Sequence, residues 1–356
     1  MTTSGTELIE IDGQAGGGQL LRTALALSLA TGQGFHLHHI RAQRPKDGLM
    51  RQHLCCVLAA QALCGAKVTG AVLRSGELTF IPGVLLPRDV SFDIGSGGST
   101  VLLMQALSCP LARAATGPCT LTVRGGTFCP MAPCFDFLRL TLQPCLRQMG
   151  YQLEFVEDTP AFFTTGGGQL RCLISGPLRK RRFEHLSYAA IRTLRAVILN
   201  INLDSDIVRR MTATLRQNFA GLEIEVKTRY PIAGVGNALL FYLEDESGAQ
   251  QVFSCIGRPV LRAESLAQSV CDEVHGYLKA QVPVETHLSD QLLVPLTLSG
   301  GGSFFMAKIS AHFESCAAVI KRFTGKAVSC VAHDGHYLVN VKATDEYEHK
   351  KEQCDV

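Results

Sequence analysis

The sequence predicts an α/β (α+β) fold of three βαβαββ repeats, with a smaller α/β insertion domain in the third. Three observations lead there. A helical pattern ends on glycine and passes straight into a strand three times, at Gly65, Gly150 and Gly325, where glycine serves as a left-handed cap. The second interval is about twice the first, a surplus of roughly one small domain. The order of helical and strand periodicities also recurs around each junction.

In the first repeat, Glu7 to Ile11 alternates as a strand and Gly16-Gly17-Gly18 forms a turn. Gln19 to Thr31 is helical, Phe35 to Ala42 a strand and Gly48 to Cys64 a helix. Lys67 to Val72 and Glu77 to Ile81 make a hairpin. The second repeat reads strand 90–94, turn 95–98, helix 99–114, strand 119–124, helix 135–149 and strands 151–156 and 169–174. The third reads helix 290–298, strand 303–309, helix 312–323 and strands 326–332 and 336–341. The insertion predicts helices over 187–201 and 206–219, strands over 222–228, 238–243 and 251–256, and a helix over 264–280. The expected division is a core of 1–180 and 276–343, an insertion of 181–275 and a charged tail of 344–356.

At 356 residues and 46% hydrophobic, the chain can bury a large core. A net charge of +3 excludes a binder that works by bulk charge but leaves room for a local basic groove. Fourteen irregularly spaced cysteines with no CxxC pair argue against a structural zinc site and for core thiols in a reduced, intracellular protein. No signal peptide or membrane span is evident, so the expectation is a cytoplasmic protein, or a nuclear one in a eukaryotic cell.

Several motifs carry chemistry. Gly16-Gly17-Gly18-Gln19 opens a helix, so it is either an anion-binding helix start or a plain tight turn. Arg41, Arg44, Lys46, Arg51, Gln52 and His53 surround a loop and suit a phosphate. Arg179 to Arg182 reads as a charged linker rather than a nucleic-acid contact or import signal. His36, His38 and His39 alternate along a strand with no carboxylate or cysteine partner in view, so no metal site is expected there. His333 and His336 read as hairpin residues, and His312 alone as an ordinary helix-start histidine.

Six ordered motifs change that reading: GGGQLLR (16–22), IRAQRPKDGLMRQH (40–53), IGSGGSTVLLMQ (94–105), GGTFCPMAP (125–133), HLSDQL (287–292) and SAHF (310–313). Together they resemble the RNA 3′-terminal phosphate cyclases, strongly over 7–180 and 285–340 and more weakly over the insertion. The resemblance implies the same triple-repeat fold. It implies that a histidine attacks ATP, AMP passes to an RNA 3′-phosphate, and the neighbouring 2′-OH closes a 2′,3′-cyclic phosphate. The adenylated histidine falls on His312, which must be neutral to attack. The nucleotide set falls on Gln105, Pro133, His287, Leu288, Ser289, Asp290 and Gln291, with Pro133 and His287 flanking adenine. The phosphate and RNA set falls on Arg22, Arg41, Arg44, Gln52 and His53. ATP, Mg²⁺ or Mn²⁺ and RNA 3′-phosphate ends are the implied ligands, and a homodimer is compatible with the resemblance.

The chain departs from the family at three positions. His287 stands where tyrosine is usual, Phe128 replaces a small polar residue, and Ala15 replaces the glutamate before the glycine turn. A non-catalytic, cyclase-like RNA-binding or ribosome-assembly protein is the alternative; His312 favours the enzyme and Ala15 the binder. The enolpyruvyl transferases share the triple-repeat architecture but lack the AHF and RQH motifs.

Overall fold

The computed structural model describes residues 8–14, 16–228, 232–326 and 328–344. The first repeat comprises β1 (Ile9–Asp12), α1 (Gly18–Thr31), β2 (Phe35–His38), α2 (Arg51–Cys64), β3 (Lys67–Thr69) and β4 (Leu78–Ile81). The second comprises β5 (Val90–Asp93), α3 (Thr100–Ala114), β6 (Cys119–Gly125), a π-helical segment (Phe137–Leu142) continuing into α4 (Gln143–Gln148), β7 (Leu153–Thr159) and β8 (Gly168–Ile174). The third opens on β9 (Phe183–His185). It is interrupted by β10 (Ile191–Ile201), α5 (Ser205–Asn218), β11 (Glu223–Lys227), β12 (Gly236–Asp245), β13 (Gln250–Ile256) and α6 (Ala263–Ala280). It resumes with α7 (Thr286–Leu298), β14 (Gly302–Met306), α8 (Ala311–Thr324), β15 (Ser329–His333) and β16 (His336–Val341).

The repeat is visible in the strand order. The three sheets run β1-β2-β4-β3, β5-β6-β8-β7 and β9-β14-β16-β15. In each, the first pair is parallel and the other two antiparallel. Gly65, Gly150 and Gly325 all have positive φ, as the three junctions require. The first helices of the repeats, α1, α3 and α7, pack against one another, and α8 packs on α1 and α7. Any ligand held between these helices therefore meets all three repeats.

β9 extends the core beyond the boundary expected at 180, and α6 carries the insertion to Ala280. The segment 179–182 is not a loose linker: Arg179 N and Arg181 N donate to Gly150 O and Met149 O at 3.1 Å each. The Gly300–Gly302 turn is close-packed, since a Cβ on Gly302 would lie 2.1 Å from Phe183 O. Glycine there allows β14 to approach β9.

Two expectations are corrected. The helix expected over 187–201 is the strand β10, flanked by β11 and β12. Its run from Ala196 to Ile201 is buried throughout, so apolar residues face both sides and the period-2 signal is lost. Ala196 and Ile198 join the insertion's core with Met211, Leu215 and Phe241. Val197, Leu199 and Ile201 join the larger core. The helix expected over 135–149 begins as a π-helix. Pro144 has no N–H to donate to the preceding turn, and a widened turn accommodates that loss.

The thirteen described cysteines are unpaired and mostly buried. Burial pushes thiols such as Cys109 and Cys316 up to about 12. No helix among the described residues is long and apolar enough to cross a membrane.

Candidate active site

A small cavity lies where α1, α3 and α7 meet, lined by Gln19, Arg22, Gln105, Asp290, Gln291 and Cys316 among others. Each helix contributes a polar group to an otherwise apolar junction. Asp290 is 5% exposed. Its Oδ2 accepts hydrogen bonds from Gln19 Nε2 and, at 2.9 Å, from Gln291 Nε2. Burial raises the Asp290 carboxyl above its ordinary value, against the hydrogen bond from Gln19 and the nearby His312 charge. Both amide atoms of Gln105 are buried without a hydrogen-bond partner. A buried amide normally finds partners, and this one has none within the protein.

His312 stands on the first turn of α8 and is exposed. Ser310 caps that helix by accepting from Phe313 N at 3.1 Å. Cys316, one turn further on, lines the cavity, and the i, i+4 spacing puts His312 on the same helix face. The start of a helix also favours an anion beside it.

On the other side of the α1 N-terminus, Gly17, Gly18, Arg41 and His53 line a second cavity. A Cβ on Gly17 would lie 3.5 Å from Arg44 Nη2, and one on Gly18 would lie 3.0 Å from Arg22 Nη1. Gly17 caps α1 with no side-chain bond, leaving the first N–H groups for an anion. Arg22 lies between the two cavities, and Asp290 is one of the charges it feels. Arg41 has φ of 56° and donates from Nη2 to Lys46 O at 3.0 Å, while its Nε is buried without a partner. Burial, with Arg22 and Arg41, pulls the His53 imidazole down to about 3.

The structure thus brings together Gln105, Asp290, Gln291 and Arg22, with His312 beside them, and gathers Arg41, Arg44 and His53 around the glycine turn. Gln52 is engaged elsewhere: its Oε1 accepts from Ser99 N at 3.1 Å, tying the first repeat to the start of α3. Leu288 and Ser289 are fully buried, and Ser289 Oγ donates to Thr286 O at 2.7 Å. Neither Pro133 nor His287 lines either cavity. His287 is exposed, with Nε2 3.7 Å from Glu273 on α6. The Glu273 carboxylate, aided by Glu285, raises the imidazole to about 9. Phe128 packs against Phe162, ring centroids 5.5 Å apart. Ala15 lies outside the described residues. Sequence reasoning missed Gln19, whose place in the first turn after the glycines was its only signal.

Three repeats thus pool polar side chains at a shared helical junction, beside a basic glycine turn, in one α/β protein. The comparison with known proteins narrows the class. The family model described as RNA 3′-terminal phosphate cyclase matches residues 14–330. Proteins named RNA 3′-terminal phosphate cyclase are similar to the chain: one from Koribacter versatilis at 38% identity over 90% of both chains, one from Pseudomonas fluorescens at 38% over 89% of this chain and 92% of that one, and one from Salmonella enteritidis at 37% over 94% and 98%. The chain belongs to the RNA 3′-terminal phosphate cyclase family.

Proposed function

We propose that this protein converts an RNA 3′-phosphate to a 2′,3′-cyclic phosphate, using ATP. Support comes from the relatives' names and from one observation above all: the partnerless Gln105 amide faces a cavity shared with Arg22, Asp290 and Gln291. In this reading His312 attacks the α-phosphorus of ATP, forming a phosphoramidate to AMP as pyrophosphate leaves. The RNA 3′-phosphate displaces His312 and takes the AMP. The adjacent 2′-OH attacks the activated phosphate, and AMP departs. Splitting the reaction this way replaces one hard displacement with easier ones.

Gln105 and Gln291 orient the nucleotide. Arg22, Arg41, Arg44 and the neutral His53 hold the phosphates. Mg²⁺ or Mn²⁺ fits the donor set, because the hydrogen bonds from Gln19 and Gln291 both fall on Oδ2 of Asp290, and one carboxylate plus nucleotide phosphates is a usual holding for Mg²⁺. When bound, such an ion neutralises charge on the phosphates.

The test uses ATP labelled at the α-phosphorus. The intact chain should form an acid-labile, base-stable protein–AMP adduct, and His312→Ala should form none. No adduct from the unmutated chain with either Mg²⁺ or Mn²⁺ would overturn the reading.

A further inference from the structure

The sequence offered His38 and His39 no carboxylate partner, but the fold supplies one. β1 and β2 are parallel, with Asp12 opposite His38. His38 Nδ1 and His39 Nδ1 are 3.0 Å apart, and His39 Nδ1 is 3.1 Å from Asp12 Oδ1. The third edge, His38 Nδ1 to Asp12 Oδ1, is 3.8 Å. We infer that Asp12, His38 and His39 form a binding site for a divalent transition metal of the zinc type, separate from the nucleotide site.

The geometry carries this first. A tetrahedral zinc ion with bonds of about 2.0–2.1 Å holds its ligand atoms roughly 3.3 Å apart. The three edges bracket that value. A triangle with these edges leaves a point roughly 2 Å from every corner, which is the metal–ligand bond length. Without an ion, two ring nitrogens 3.0 Å apart need a proton between them. An ion shared with the carboxylate removes that need.

The backbone carries it second. Successive strand residues face opposite sides, so His38 and His39 should diverge. His39 instead has φ of 53°, a left-handed conformation that L-residues adopt only at a cost. The result is that both Nδ1 atoms meet the same Asp12 oxygen. His36 behaves as an ordinary strand residue; its Nδ1 pairs with Glu10 at 2.9 Å.

The chemistry selects the ion. Two imidazoles and one carboxylate suit zinc and its neighbours, not Mg²⁺ or Ca²⁺. The three side chains are 33%, 59% and 53% exposed for His38, His39 and Asp12, so water can complete the coordination. Gly13 N donates to His38 O at 2.8 Å. From this point one chain segment leaves for the Gly17–Gly18 turn and the other for Arg41 and Arg44. An ion here ties the origins of both phosphate-facing loops.

The test is calorimetric titration of the full, tag-free chain with Zn²⁺ and with Mg²⁺. One Zn²⁺ site is expected that the same concentration of Mg²⁺ does not fill. His38→Gln, His39→Gln and Asp12→Asn should each weaken it by about tenfold or more, and His36→Gln should not. Zinc binding that survives His38→Gln and His39→Gln, or the absence of any such site, overturns the inference. A second measurement needs no variant: Co²⁺ bound to the unmutated chain should show nitrogen and oxygen ligation. A sulfur-to-cobalt charge-transfer band would place the ion on cysteines and overturn the inference as well.

Discussion

The Nε2 of His53 lies so close to the Cα of Gly18 that a methyl group on Gly18 would sit 2.3 Å from it. Met50 N donates to His53 Nδ1 at 3.2 Å, so in the neutral ring the proton is on Nε2. That N–H faces the glycine turn. A pKa near 3 keeps the ring neutral through the physiological range. His53 is thus an uncharged donor set among arginines that supply the charge.

Gly18→Ala should therefore displace a ring that has nowhere to go, since His53 is only 8% exposed. Overpacking of this kind costs about 1–3 kcal/mol, readable as a lower midpoint in urea. Binding of inorganic pyrophosphate should weaken about ten- to hundredfold, because losing one hydrogen bond to a charged group costs about 1.5–3 kcal/mol. Unchanged pyrophosphate affinity in titration calorimetry would show that the turn is only a turn.

Gln105 predicts a separation of stability from binding. Its amide has no hydrogen-bond partner within the protein. Gln105→Leu removes that unsatisfied group and should leave stability unchanged or raise it by about 1 kcal/mol. The same change should weaken ATP at least about tenfold, with the adenylylation rate at saturating ATP reduced less than the affinity. Parallel denaturant melts and nucleotide titrations check both halves.

The legible parts of the sequence were those in which local chemistry and fold agree. Gly65, Gly150 and Gly325 announced the repeat because a helix end closed by a left-handed residue favours glycine there from local geometry alone. Asp290 and Gln291 were legible through their motif, and the fold adds why they matter: Asp290 is buried and bonded to Gln19 from another repeat. β10 was not legible, because both its faces are covered and its apolar run has no period. The Asp12–His38–His39 cluster was hidden for another reason. Strand pairing brings Asp12 to His38, and a left-handed His39 breaks the alternation that the sequence implied.

Thr141 links the insertion to the core and gives a structural prediction. Its Oγ1 donates to Gln250 O at 3.1 Å and accepts from Val252 N at 3.0 Å. Thr141→Val keeps the shape but leaves both backbone groups of β13 unpaired. Each buried orphan costs about 1–3 kcal/mol. The expected outcome is a loss of about 2–6 kcal/mol in chemical denaturation, with faster amide exchange at Val252 than at β6 in the core.

Glu157 gives the pH dependence. Its Oε1 is buried without a partner. Burial, with Asp136 adding repulsion, raises its carboxyl to about 7 from an ordinary 4.5, against a hydrogen bond from Thr127. The folded state therefore holds the proton more tightly than the unfolded chain does. The stabilisation this provides is complete below pH 4.5 and is lost as the pH rises through 7. One pKa unit corresponds to about 1.4 kcal/mol, so the swing attributable to this one group is at most about 3.5 kcal/mol. Glu157→Gln places a permanently neutral group at the site. It should be more stable than the unmutated chain at pH 8, by about 1–3 kcal/mol, and the difference should close by pH 5. Urea midpoints measured for both proteins across that range decide the matter: a pH-independent difference would mean that Glu157 is already paired and ionised in the folded protein.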